Sequence, residues 1–321
     1  MSQDIYVVCE HLRSQIADIT FIMLAAAREL AKTTGGKVIA VLLGNNMSGL
    51  AANLAADQVL LGEHPTLEDF TSDAYSRVLA QVIKDQAPRA VFFGHTSIGT
   101  DIAGSLSMRL DLPLVTSVRE FTDEGDFVSQ ICGGKIMAEG KLPAPTTLVT
   151  LVPGVYKPEQ GQSSQPPQFF SVTIPPLEDL RVAVKQYIEP ESGDVDIARE
   201  PLLIAVGRGI QTGDNIELAE ELAQALGGVV CASRPVVDQG WLPTSRLVGK
   251  SGKAVKPKVY LALGISGAPE HAEAITGSEV IIAVNTDPAA PIFNIAKYGT
   301  NADLFDLVPA LTEKVQQAKG D

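Results

Sequence analysis

In the last third of the chain, polar and small residues gather wherever an apolar run stops. Val229 to Ala232 is followed by Ser233-Arg234-Pro-Val-Val-Asp238-Gln-Gly240, and Val248-Gly249-Lys250-Ser251-Gly252-Lys253 stands a little further on. Val259 to Leu263 leads into Gly264-Ile-Ser266-Gly267-Ala268-Pro269-Glu270-His271. Val280 to Val284 leads into Asn285-Thr-Asp287-Pro-Ala-Ala-Pro291, and Tyr298-Gly299 into Asp303-Leu304-Phe305. Open α/β sheets place ligands at the carboxyl ends of their strands, so loops of this kind in one domain imply a large polar ligand. Gly207-Arg208-Gly209, after Leu202 to Val206, is a partial dinucleotide fingerprint: Thr212 stands where the third glycine belongs and Gly213 comes one residue late. Signatures of substrate chemistry are missing. There is no Gly-x-Ser-x-Gly elbow, no His-Glu-x-x-His, no Walker A loop and only four histidines, so no catalytic residue and no metal site is assigned.

These loops need strands to hold them, and the chain alternates short β-branched runs with longer amphipathic stretches, the pattern of layered parallel sheets. Strands are expected at Ile5 to Cys9, Lys37 to Leu43, Gln58 to Leu61 and Ala90 to Gly94, with helices at Ala17 to Lys32, Leu50 to Ala56, Ser72 to Asp85 and Ile102 to Leu110. After Pro113 the texture changes. Leu114 to Glu120, Phe127 to Ile131, Gly134 to Ala138 and Thr146 to Val152 read as strands without helices between them, an antiparallel continuation of the sheet. Residues 157–168 form a polar loop with too little apolar surface to pack, and Phe169 to Ile174 and Val182 to Ile188 read as strands. Acidic Glu189 to Glu200 is the expected linker. The alternation then restarts with Leu202 to Val206, a helix at Asp214 to Leu226 with an acidic first turn, three further strands and a terminal helix opened by Pro309.

A chain of 321 residues is long for one core, so two domains are expected. Its 25 basic against 38 acidic side chains give a net charge of -13, which repels phosphate backbones and anionic lipid and disfavours nucleic acid or membrane surfaces as partners. Cys9, Cys132 and Cys231 are too far apart to resemble a zinc or iron-sulfur ligand set, and no apolar run reaches the roughly 18 residues of a membrane span. The expectation is a soluble cytoplasmic protein with no direct membrane insertion. His11, His64 and His95 are read as structural or solvated, and Cys9 as a small core residue.

Taken together, Gly-Arg-Gly at 207–209, Ser-Arg-x-x-Val-Asp-x-Gly at 233–240, Gly-Ile-Ser-Gly-Ala-x-x-His at 264–271, Asn-x-Asp-Pro-x-Ala-Pro-Ile-Phe at 285–293 and Tyr-Gly-x-x-Ala-Asp-Leu-Phe at 298–305 form one ordered set. The set resembles the α subunit of electron transfer flavoprotein. Less distinctively, the N-terminal half, including Ser97-Ile-Gly99-Thr-Asp101-Ile-Ala103, resembles the first domain of that family. The resemblance implies two doubly wound α/β domains. Residues 1–199 would be a nucleotide-alpha-hydrolase-like sheet with its linker, serving as scaffold and β-subunit interface, and residues 200–321 a Rossmann-like domain that binds FAD.

Carried over by position, the resemblance makes Arg208, Ser233, Arg234, Val248, Gly249, Lys250, Ser251, Ser266, Gly267, Ala268, Pro269, Glu270, His271, Asn285, Asp303 and Leu304 the FAD-contacting set. Backbone N–H groups at Ser266-Gly267-Ala268 suit a pyrophosphate, and Asn285 and Asp303 the adenosine side. A flavin that passes single electrons gathers negative charge at N1 and O2, so Arg234 beside the ring and His271 donating to O2 would raise its potential, with the Ser251 hydroxyl near N5. The chain departs from the family pattern at two places. Lys250-Ser251 stands where Gln-Thr is usual, and Glu270 where Gln precedes the histidine, adding a cation and an anion near the ring. The resemblance further implies a heterodimer with an electron transfer flavoprotein β subunit, electrons from flavoprotein dehydrogenases of the acyl-CoA type in fatty acid β-oxidation, a quinone reductase or other acceptor, and a flavin domain that swivels on its linker. The alternatives are a bifurcating, NADH-linked relative of the same class and a non-redox adenine-nucleotide-binding protein. The Ser97 to Asp101 loop is read as scaffold rather than as a nucleotide site.

Overall fold

The computed structural model describes residues 2–12, 14–132, 136–153, 155–187 and 195–320. The chain divides into two compact units, Met1–Tyr187 and Ile188–Asp321. Gly134, Ile188 and the first part of the expected linker, to residue 194, lie outside the described residues.

The first unit opens with β1 (Ile5–Val8), a small antiparallel pair β2 (His11–Leu12) and β3 (Gln15–Ile16), and α1 (Asp18–Thr34). It continues through β4 (Val38–Gly44), β5 (Gln58–Glu63), α2 (Ser72–Gln86), β6 (Ala90–Gly94) and α3 (Ser97–Leu110). Then come β7 (Leu114–Phe121), β8 (Phe127–Ile131), β9 (Ile136–Gly140), β10 (Thr147–Leu151) and β11 (Gln168–Ser171). Nine of these strands make one sheet in the order β11-β5-β4-β1-β6-β10-β7-β8-β9. Every residue of β1, β4, β6 and β10 is buried, as strands covered on both faces require. Ile5 and Val7 pack with α1 residues Phe21, Met23 and Leu24, whereas Tyr6 and Val8 face Val78, Leu79, Ile102 and Leu106 of α2 and α3.

Four local expectations change. An antiparallel meander holds for β7, β8 and β9, but β10 runs parallel to both β6 and β7 and lies between them. Its five residues are apolar or Thr and buried on both faces, so only an interior slot accommodates it. Leu50 to Ala56 is not a helix: a 3-10 turn at Ser48–Ala51 gives way to Leu54, bridged to Gln162, and to Ala55, whose N–H donates to the Gly161 carbonyl at 2.9 Å. The polar 157–168 stretch is packed after all, because Gly161 lies against the Phe21 carbonyl of α1, where a Cβ would collide. Residues 182–187 are not a strand, and Val182 and Val184 are exposed.

The second unit comprises β12 (Leu202–Val206), α4 (Ile216–Leu226), β13 (Val229–Ala232), α5 (Arg234–Asp238), β14 (Val259–Leu263), α6 (Pro269–Ile275), β15 (Val280–Val284), β16 (Tyr298–Thr300) and α7 (Leu304–Gly320). Its five strands are all parallel in the order β13-β12-β14-β15-β16. Ile204, Val206, Leu261 and Leu263 pack with residues of α4 and α7, and Leu203, Ala205, Tyr260 and Ala262 with Ile275 and Val255 on the other face. Both sheets therefore carry apolar layers on both faces, the two-domain α/β architecture expected. The terminal helix starts at Leu304 with Pro309 inside it, because Asp303 Oδ1 accepts the Phe305 N–H at 3.0 Å and caps the end.

Candidate functional site

Winding of the second sheet reverses at β12: the chain moves outward to β13, then crosses back to β14 on the other side. At such a switch point the loops after two neighbouring strands part and leave a crevice at the carboxyl edge. Here the loops after β12 and β14 pack backbone to backbone at its floor. The Gly209 N–H donates to the Gly264 carbonyl at 3.1 Å, and a Cβ on Gly209 would lie 2.6 Å from the Gly264 Cα. Gly264 has φ +64°, so both positions need glycine.

Above that floor is a crevice of about 670 Å³. Arg208 enters from the turn after β12, Ser233 and Arg234 from the end of β13, Val248, Gly249, Lys250 and Ser251 from the long segment before β14, Ser266 from the turn after β14, and Ala268, Glu270 and His271 from the head of α6. Asn285 closes the side after β15. Four expected residues do not line it. Gly267, at φ +83°, is pressed against the Ile292 backbone; Pro269 opens α6; Asp303 caps α7; and Leu304 is buried in the core under that helix. Missed by sequence reasoning were Pro235, Leu247, Ile265, Asp287 and Ala290, with Gly209 and Gly264. All seven adjoin or sit within the polar loops already singled out, and the signal available was that glycines and apolar residues can wall a site as well as polar ones.

Three cations and two carboxylates open on this space: Arg208, Arg234 and Lys250 against Glu270 and Asp287. Arg234 reaches Asp238 Oδ2 through Nε at 3.3 Å and the Ser251 hydroxyl through Nη1 at 3.3 Å, so β13 and the 248–251 loop meet at this guanidinium. Lys250 and Glu270 do come together, but through the backbone, where the Lys250 N–H donates to the Glu270 carbonyl at 2.9 Å. Gly249, at φ +147°, gives that loop its bend. Asn285 donates through Nδ2 to the Ile265 carbonyl at 2.9 Å, tying the β15 loop to the β14 loop.

His271 departs from expectation. Its side chain is buried, with Nδ1 3.1 Å from the Val248 carbonyl and Nε2 2.9 Å from the Tyr260 hydroxyl. Burial pushes its pKa down to about 4, so the ring is neutral near pH 7. Both ring nitrogens are engaged by protein groups, which leaves no N–H to give to O2; the ring instead supports the loop that walls the crevice.

At the matching edge of the first sheet, the Ser97 to Asp101 stretch is the first turn of α3, capped by Thr96, whose side chain accepts the Gly99 N–H at 3.0 Å. The protein's own Glu10 carboxylate fills the space there. Both its oxygens accept from the Thr96 hydroxyl at 2.9 Å, and Cβ atoms on Gly94 or Gly99 would run into it. Burial pushes this carboxyl up to about 7 against the opposing Thr96 and Gly94 hydrogen bonds, and no cation pairs with it among the described residues. His11 Nε2 lies 2.7 Å from the Leu43 carbonyl, His64 Nδ1 accepts the Thr66 N–H, and His95 Nδ1 is 2.9 Å from the Thr150 hydroxyl. Cys9 and Cys231 are buried and Cys132 exposed. Among the described residues there is no metal-binding group of His, Cys, Asp and Glu, and no helix is long and apolar enough to cross a membrane.

A dinucleotide with two phosphates fits this crevice in size and in sign: the volume falls within the range of ligand sites, the cations outnumber the carboxylates, and glycines keep backbone close to the space. Comparison with known proteins agrees. Residues 5–175 match the family described as "Electron transfer flavoprotein domain", and residues 196–276 match "Electron transfer flavoprotein FAD-binding domain". The chain is 34% identical over 323 residues to "Electron transfer flavoprotein subunit alpha" of Bacillus subtilis (strain 168), covering 99% of this chain and 98% of that protein. It is 34% identical to "Acryloyl-CoA reductase electron transfer subunit beta" of Anaerotignum propionicum, covering 99% and 96%. It is 32% identical to "Lactate dehydrogenase (NAD(+),ferredoxin) subunit LctC" of Acetobacterium woodii, covering 97% of this chain and 77% of that one.

Proposed function

The chain belongs to the electron transfer flavoprotein family as an α subunit, with FAD as its cofactor, and on that footing we propose that it carries electrons between a flavoprotein dehydrogenase and a quinone reductase or similar acceptor, as half of a heterodimer with a β subunit. The observation that carries this reading is the crevice itself, where five separate loops converge at the carboxyl edge of one parallel sheet. In this reading the second unit is the FAD domain, and the first is the scaffold and the surface for the β subunit.

Bound FAD supplies the isoalloxazine, which takes up and releases electrons one at a time. Arg208, Ser233, Arg234, Val248, Gly249, Lys250, Ser251, Ser266, Ala268, Glu270, His271 and Asn285 are the residues that would hold it, with Gly267, Pro269, Asp303 and Leu304 shaping the loops around them. Arg208, Arg234 and Lys250 supply fixed positive charge for a pyrophosphate and for electron density added to the ring. Glu270 and Asp287 temper that field. Gly209, Gly249 and Gly264 admit the close approach of backbone N–H groups. No side chain here needs to shuttle a proton to an organic substrate.

Similarity to a subunit of an NAD(+),ferredoxin-dependent lactate dehydrogenase favours one second reading, a bifurcating complex fed by NADH. Co-expression with the β subunit and titration of the visible spectrum test both. One FAD retained per α chain and reduction by a flavoprotein dehydrogenase support the carrier role, rapid reduction by NADH supports the bifurcating one, and a colourless complex that takes up no FAD overturns the flavin reading.

A further inference from the structure

Behind the crevice wall, on the core side of the second sheet, two buried side chains and a backbone carbonyl form a polar line through otherwise apolar packing. Tyr260 of β14 and His271 of α6 are both buried. The Tyr260 hydroxyl continues to His271 Nε2 at 2.9 Å, and His271 Nδ1 to the Val248 carbonyl at 3.1 Å.

The chemistry of the end groups sets the direction of every bond. A carbonyl oxygen only accepts, so Nδ1 must carry the imidazole proton. In the neutral ring Nε2 is then an acceptor, and the Tyr260 hydroxyl donates to it. The chain of donation runs Tyr260 to His271 to Val248, one way throughout. Buried polar groups keep their partners because a donor or acceptor left orphaned away from water is not compensated. In an apolar core the Val248 carbonyl therefore sets the tautomer, and the Tyr260 hydroxyl satisfies the ring nitrogen left over.

Resting on the reading of the crevice as the FAD site, we propose that Tyr260 is a positioning residue: by donating to Nε2 it holds the His271 ring with Nδ1–H on the Val248 carbonyl and so fastens the Val248–Ser251 wall to the sheet from behind. The wall is also held by the Val248 N–H to the Ala232 carbonyl and the Lys250 N–H to the Glu270 carbonyl, each at 2.9 Å, and by Arg234 Nη1 to the Ser251 hydroxyl at 3.3 Å. The imidazole supplies the attachment between the two backbone bonds. Freed from Tyr260, the ring can carry its proton on either nitrogen and turn toward the crevice, and the Val248 carbonyl loses its donor.

Imidazole nitrogen NMR on the FAD-loaded heterodimer, with His271 assigned through His271→Gln, tests this in the wild type and in Tyr260→Phe. Expected are a proton-bearing Nδ1 and an accepting Nε2 in the wild type, a tautomer mixture in Tyr260→Phe, and FAD dissociation about tenfold tighter in the wild type than in that variant. A proton on Nε2 in the wild type overturns the proposal without need of any variant. Unchanged His271 signals in Tyr260→Phe also overturn it, even where FAD binding weakens, since the crevice reading then stands alone. Wild-type complex without FAD at the crevice would instead defeat the crevice reading, and the tautomer in the apoprotein would still decide the role of Tyr260.

Discussion

Replacing Glu10 with glutamine should stabilise the first unit in alkali and do much less in acid. The carboxyl is buried beneath the head of α3 with the Thr96 hydroxyl as its donor, and burial moves its pKa from 4.5 to about 7. Because the folded value lies above the unfolded one, the contribution to stability is full below about 4.5 and is lost as pH rises through about 7. At roughly 1.4 kcal/mol per pH unit, the charge destabilises the folded unit by about 3 kcal/mol at pH 8 and by less than about 1 kcal/mol at pH 5. Glutamine keeps the shape and one oxygen for Thr96. Any cost of its amide is the same at both pH values, so the difference isolates the charge. Urea unfolding read by hydrogen exchange of β1 and β6 peptides should show Glu10→Gln gaining about 2 kcal/mol more over the wild type at pH 8 than at pH 5. An equal gain or loss at the two pH values would refute the reasoning.

The second unit should respond to pH in the opposite sense: His271, held near pKa 4, resists protonation that the unfolded chain accepts near 6.5, so stability falls on acidification between those values, by up to about 3 kcal/mol. Calorimetry from pH 7.5 to 4.5 on wild type and His271→Gln checks this through the loss of the slope in the variant. Arg234→Ala removes a crevice cation and should weaken FAD retention roughly tenfold, measured by equilibrium dialysis of the heterodimer; unchanged affinity would take the guanidinium out of the site. Gly264→Ala puts a Cβ into the Gly209 backbone at φ +64° and should cost the second unit about 2–3 kcal/mol together with its FAD, seen by thermal unfolding and absorbance. Phe92→Ala, in a fully buried site stacked on Phe121, should cost the first unit about 3–5 kcal/mol in urea.

How far the sequence could be read depended on how local the determining physics was. The loops of the crevice were legible because each follows a run of Val, Ile, Leu and Ala that can only be a buried strand, and because parallel sheets gather such loops on one edge. The place of β10 was not, since an apolar strand reads alike in any interior slot and neighbour choice is settled by distant packing. Ser97-Ile-Gly99-Thr-Asp101 looked like a turn because its residues are turn formers; the cap at Thr96 converts the same residues into the first turn of α3. Asp303 carries two signals at once. An aspartate among ligand-type residues is also a common way to start a helix, and here its Oδ1 caps α7. For His271 the sequence carried its neighbourhood but not its partners, Tyr260 and Val248, which come from other parts of the fold.

The position of β10 also orders events in time. Residues 147–151 are made after both of the strands they separate, β6 at 90–94 and β7 at 114–121, so the wide sheet has a vacant central lane until the later segment has left the ribosome. A nascent chain that closed β7 directly onto β6 would bury a plausible but wrong edge and would have to reopen it, which makes this seam the step on which productive synthesis of the first unit turns.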